Sequence, residues 1–148
     1  MRFLSVPHGS PLYHSALKLR DETLRKPLGL TYSDEQLAAE VNDHHLVALT
    51  GPEDDPTVVA GLILSPVADQ PHQLHLRQMT VADSHRGHGL GRNLMNFAEN
   101  FAREQNATEI KLHARDQAIP FYEKLGYHPV GPPFIEVTIP HQEMRKSL

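Results

Sequence analysis

Three glycines at alternate positions, Gly87, Gly89 and Gly91, lie between Arg86 and Arg92, directly before an apolar-periodic run from Leu94 to Ala102. Without side chains a backbone can curl tightly, so successive N–H groups converge on an anion at the positive end of a helix dipole. That is phosphate-binding chemistry, and a phosphorylated ligand or cofactor is expected at this turn. A basic residue in the first turn of a helix opposes the dipole by roughly a few tenths of a kcal/mol, so Arg92 itself favours an anion nearby. A dinucleotide site is the obvious rival, since Gly87, Gly89 and Gly91 loosely match its fingerprint and Glu109 follows about twenty residues later. Context argues against it: the polar segment Asp83 to Arg86 and several strands come before the turn, whereas a dinucleotide turn follows its first strand almost at once. Eleven histidines raise the question of a metal. His72 and His75 lie in an extended segment, His44 and His45 are adjacent, and His85 and His88 flank the glycines. None forms a metal-binding helical pair, so no metal is expected. Cysteine is absent, which excludes disulfides, thiolate catalysis and sulfur-bound zinc.

The elements that must position this turn follow from the change of apolar period along the chain. Arg2–Val6 reads as a strand. Pro11 to Arg25 carries Leu12, Ala16 and Leu19 at helical spacing, ended by Pro27 and Gly29. Ser33 and Gln36 have the capping-box form and introduce a short helix with Leu37, Ala38 and Val41. His45–Thr50 and Thr57–Leu64 are β-rich runs joined by a polar, kinked segment, and His72–Val81 continues the meander. Leu90, Leu94, Phe97 and Phe101 form one buried stripe on a long helix. Glu109–His113 reads as a strand, Gln117–Leu125 as a helix closed by Gly126, and Val137–Met144 as a final strand. The expected fold is α+β in three layers: a mixed, mostly antiparallel sheet flanked by helices, in one domain spanning 1–148.

A chain of 148 residues can bury one substantial core. No apolar run is long enough for a membrane span or signal peptide, so a soluble cytoplasmic protein is expected. The formal net charge of −4, without a Lys/Arg block, argues against nucleic-acid binding.

Arg86-Gly-His-Gly-Leu-Gly91 resembles the Arg/Gln-x-x-Gly-x-Gly/Ala signature of the GNAT superfamily of N-acetyltransferases. Downstream, Ala118-Ile-Pro-Phe-Tyr-Glu-Lys-Leu-Gly-Tyr127 is similar to a second motif of that family, in the right order. Ile139-Pro-His141 with Met144 is similar to the ElaA-like group, with Thr138 where that group usually has glycine.

The resemblance implies acetyl-CoA as co-substrate. Met79, Thr80 and Val81 would offer backbone groups to the pantetheine arm, and Arg86, Gly87, His88, Gly89, Leu90, Gly91 and Arg92 would cradle the pyrophosphate. Tyr122 occupies the position of a general acid toward the departing sulfur. A strand carboxylate that serves many relatives as base is replaced here by Arg77, with Gln78 beside it; His141, His75 or water would take that role. Arg115 stands where relatives often have Asn or Gln toward the cofactor, so either it reaches a phosphate or Gln117 substitutes. The reaction implied is direct attack by an amine in a ternary complex. A non-catalytic acyl-CoA-binding module is the alternative. The acceptor remains open among small amines, protein lysines and N-termini. Arg20 and Arg25 could meet an acidic substrate, although solvation on an amphipathic helix is the simpler expectation. A final strand at a sheet edge would permit a homodimer.

Overall fold

A computed structural model describes residues 1–148. Its sheet begins with β1 (Arg2–Val6), β2 (His44–Thr50), β3 (Thr57–Val67) and β4 (Gln70–Val81), each antiparallel to the next. β5 (Glu109–Arg115) joins β4 in parallel, after the crossover helix α3 (Leu90–Glu104). β6 (His128–Pro129) and β7 (Phe134–Glu136) both pair with β8 (Ile139–Ser147), which in turn pairs with β5. The expected mixed, mostly antiparallel α+β sheet is therefore present.

β2 explains the three layers. Its residues Leu46 to Leu49 are all buried, a continuous apolar run because both faces are covered. Leu46 and Ala48 pack in the main core with Leu94, Met95, Ala98 and Ala102 of α3. Val47 and Leu49 point the other way and pack with Val6 and Tyr13, the latter from α1 (Pro11–Arg20). Each fully buried aliphatic side chain contributes roughly 1.5–3 kcal/mol, so this two-sided strand anchors both helical layers.

Two features of β4 shape the centre of the sheet. Its parallel pairing with β5 covers only Gln73–Leu76 against Glu109–Leu112. Beyond that, Arg77–Val81 and His113–Arg115 run on without pairing each other, and the strands leave a cleft between them. On the other side Gly61 pairs Thr80 while Ile63 pairs Arg77, so β4 carries one residue more than β3 across the same span. The extra residue belongs to a bulge at Gln78, whose φ of +58° is a left-handed conformation.

Several boundaries differ from expectation. The first helix is α-helical only to Arg20; Asp21–Arg25 forms a π turn and Lys26–Leu28 a tight 3₁₀ turn ended by left-handed Gly29. The capping box at Ser33 and Gln36 is formed, but α2 (Asp34–Ala38) passes into a 3₁₀ turn over Ala39–Asn42. That change of period turns Val41 out to 59% exposure and turns Glu40 in. The last strand starts at Ile139, because Val137 and Thr138 make the hairpin turn to β7 with φ of +44° and +65°. Val and Thr carry strand propensity and no turn signal, which is why that turn was hidden in sequence. β8 is also not an edge, since β6 and β7 cover its outer side, and the premise for pairing a second copy through it fails.

Candidate active site

The three glycines divide into two roles. Gly87 and Gly89 both have φ of +79°, which L-residues adopt at a cost. Gly91 has no such φ. A Cβ there would lie 3.3 Å from Cζ of Phe121 and 3.5 Å from Cε of Met79, so its role is to let α3 approach its neighbours. The expectation that all three serve the curl is corrected accordingly. The N–H groups of Gly87, His88 and Gly89 donate to no backbone acceptor. Those of Leu90, Gly91 and Arg92 open the helix, where no intrahelical acceptor exists, and the capping residue Gly89 has no side chain to offer. Six consecutive donors thus lie at the positive end of a fifteen-residue helix anchored by buried Leu90. Arg86 is spent differently from expectation: its Nε donates to the Val81 carbonyl at 3.1 Å, and its guanidinium pairs with Asp83 at 2.8 Å. It ties the turn to the end of β4. Arg92 lies over Gly89, its terminal nitrogen 3.5 Å from where a Cβ would be. His88 is exposed.

Met79, Thr80 and Val81 form the unpaired end of β4 on the cleft side. The hydroxyl of Thr80 is turned back to the Gln78 carbonyl at 2.9 Å, which leaves backbone as what this segment offers the cleft. The bulge is pinned by Tyr32, whose hydroxyl donates to Oε1 of Gln78 at 2.7 Å. Nothing in the local sequence signals the Tyr32 contact, since Tyr32 is 46 residues away.

The cleft opens into a cavity of about 560 Å³, and both Tyr122 and His141 line it. Tyr122 projects from α4 (Ile119–Lys124), 7% exposed, and burial pushes its hydroxyl up to about 12. It is a neutral O–H donor at any physiological pH. His141 is 5% exposed, and its Nδ1 lies 2.7 Å from the Ile139 carbonyl. A carbonyl only accepts, so Nδ1 carries the proton and Nε2 of the neutral ring is left with a free lone pair. Nε2 is 3.8 Å from Oε2 of Glu136, a carboxylate placed to steady an imidazolium. His75 also lines the cavity, but burial, with the nearby His113, Lys111 and Arg77 charges, lowers it to about 3. It is neutral at working pH and too weak a base to hold a proton. Arg115 lines the cavity with no ion-pair partner, whereas Gln117 is exposed and outside the lining.

Residues that the sequence reading passed over close the other side. Buried Glu40 accepts from both terminal nitrogens of Arg20 and from the Tyr13 hydroxyl at 2.9 Å. Burial raises the Glu40 carboxyl, and the Arg20 and Tyr13 bonds outweigh it, holding the group below its usual range. Arg20, expected to be solvated, is 5% exposed. Its partner lies twenty residues away in sequence, so no local pattern announces the pair. Arg20 and Arg25 also flank the ring of Tyr32, at 4.8 Å and 4.6 Å from its centroid.

A family model for the acetyltransferase (GNAT) domain matches residues 18–148. N-alpha-acetyltransferase 80 of Mus musculus is 44% identical over 72 residues, 49% of this chain and 23% of the mouse protein. The chain spans about half the length of its Bacillus subtilis relatives, 52% of each. Among solved structures, a Lactobacillus plantarum protein assigned as an N-acetyltransferase aligns with TM-score 0.83 and 26% identity over 100% of this chain and 99% of that one. Escherichia coli ElaA aligns with TM-score 0.79 over 98% of both chains at 20% identity, a likeness of fold alone. With a family model matching residues 18–148 and a solved relative superposing over the whole chain, the chain belongs to the GNAT family of acetyltransferases.

Proposed function

We propose that this chain transfers an acetyl group from acetyl-CoA to an amine by direct attack in a ternary complex. The observation that carries this reading is one cavity, continuous with the β4–β5 cleft, lined by a neutral phenol donor and by an imidazole with its lone pair free. The residues fit the donor. Six free amides from Gly87 to Arg92 suit a pyrophosphate, and the backbone of Met79 to Val81, which no residue of β5 pairs, suits an amide-bearing arm joining as an extra strand. Arg92 adds charge beside Gly89, and Arg115 is available to the arm or a phosphate. Acetyl-CoA supplies an activated thioester carbonyl.

The chain's own residues manage protons. As the amine nitrogen attacks, a C–N bond forms and the C–S bond breaks. Nε2 of His141 takes the proton that the amine loses, and Glu136 balances the charge. The Tyr122 hydroxyl gives its proton to the leaving thiolate, and solvent exchange through the cavity returns both groups to their starting states. His141 replaces the strand carboxylate whose place Arg77 occupies.

Two variants test it. Tyr122→Phe is expected to lower kcat by about 10²-fold or more, with the KM for acetyl-CoA little changed. His141→Gln is expected to lose about 10²-fold in kcat/KM at neutral pH and recover as pH rises, because the amine then deprotonates without help. Indifference to both substitutions, with acetyl-CoA bound and no CoA released for any amine, would instead identify a binding module.

A further inference from the structure

We propose that the acceptor is a small amine bearing a carboxylate, which Arg25 and Arg77 hold within the cavity; this rests on the acetyl-transfer reading above. One wall of the cavity carries the guanidiniums of Arg25 and Arg77 together with a single carboxylate, Glu40, which buried Arg20 pairs from behind. That carboxylate is already taken. Arg20 occupies both of its oxygens and Tyr13 shares one, all buried. Arg77 comes no nearer than 4.0 Å, keeps 36% of its side chain exposed and lines the cavity. Arg25 has no carboxylate within ion-pair distance and lies against the Tyr32 ring. The other carboxylate in the lining, Glu136, is occupied by His113 at 3.3 Å and His141 at 3.8 Å.

Arg115, the third unpaired guanidinium of the lining, stands on β5 and is left to the donor, so Arg25 and Arg77 remain as two planar, always-charged donor forks facing a recess with no free anion of the chain's own to receive them. They are not accounted for by the donor's phosphates, since no residue of the turn from Arg86 to Arg92 lines this cavity. A cationic acceptor would be repelled by the surplus positive charge, whereas a carboxylate would be held by charge-assisted bonds of good geometry. Leu24, Leu28 and Leu30 line the same wall and suit a short apolar spacer between amine and carboxylate. At about 560 Å³, the recess has the dimensions of a small-molecule site.

The experiment compares kcat/KM for pairs of amines that differ only by a carboxylate: γ-aminobutyrate with propylamine, β-alanine with ethylamine, and lysine with cadaverine. The carboxylated member is expected to be preferred by about tenfold or more in at least one pair, the scale of a single charge-assisted hydrogen bond. In Arg77→Gln and Arg25→Gln that preference is expected to collapse through KM, with kcat on the decarboxylated partner retained; Arg77→Lys is expected to keep part of it. O-Phosphoethanolamine serves as the phosphate arm, and a preference for it over every carboxylate would overturn the carboxylate assignment. Equal or faster transfer to the decarboxylated member of every pair would overturn the proposal and leave acetyl transfer standing. Transfer to no amine, with acetyl-CoA bound, would overturn both.

Discussion

At the scale of single residues, the chemistry is set by which polar groups are spent inside the fold and which are left free. Arg86 and Arg20 look alike in sequence as basic residues near candidate sites, yet the fold uses one to tether a turn and buries the other on Glu40. Gly87 and Gly89 were legible as turn residues because the residues flanking them form a recognisable pattern, whereas the packing role of Gly91 against Phe121 was not. Glu40, Tyr32 and Gln78 were not, because their partners are distant in sequence and their types are ordinary surface types. His75 gives a pH prediction. Its folded value of about 3 lies below the ordinary 6.5, so between those values the unfolded chain binds the extra proton. Its contribution to stability is complete above about pH 6.5 and is lost as pH falls toward 3. His75→Gln is expected to reduce the drop in Tm between pH 7 and pH 5, with a remainder from His44 and His45, which burial also lowers. An unchanged drop would show that other groups govern acid sensitivity.

Elements place these residues through irregularities rather than through regular structure. β1 to β5, β8 and the main helices were readable in order from period and capping, because β2's unbroken apolar run and α3's stripe follow directly from what they bury; the two- and three-residue strands β6 and β7 are too short to show a period and were not. The bulge at Gln78 and the turn at Val137 and Thr138 were not readable, since each sets a non-glycine residue at positive φ and depends on tertiary contacts. These two sites predict opposite responses. Thr138→Gly is expected to stabilise by about 1 kcal/mol, because glycine meets little steric resistance in the left-handed region. Gln78→Val is expected to destabilise by about 1–3 kcal/mol and to weaken acetyl-CoA binding, because a β-branched residue resists that conformation and the Tyr32 bond is lost. Chemical denaturation of the three proteins checks both signs.

For the molecule as a whole, the buried pair of Arg20 and Glu40 joins the helical layer from α1 and α2 to the sheet. Glu40→Ala leaves an uncompensated buried guanidinium and is expected to cost about 3–5 kcal/mol. The double variant Arg20→Met with Glu40→Leu, an apolar replacement of both partners, is the informative contrast: it is expected to recover much of that loss while leaving Arg25 and Arg77 without their organising neighbour. Acetyl-CoA at about a hundred times its Kd is expected to add about 2.7 kcal/mol of stability, whereas NAD adds none. The sheet carries a consequence of its own. Where β4 and β5 part after Leu76 and Leu112, the molecule keeps a strand edge in its interior instead of at its rim. The amide protons of Arg77–Val81 that face this gap are therefore expected to exchange quickly in the free chain and slowly once acetyl-CoA, seated as proposed, completes the ladder. That makes hydrogen exchange along one short segment a readout of donor loading that needs no turnover and no knowledge of the acceptor.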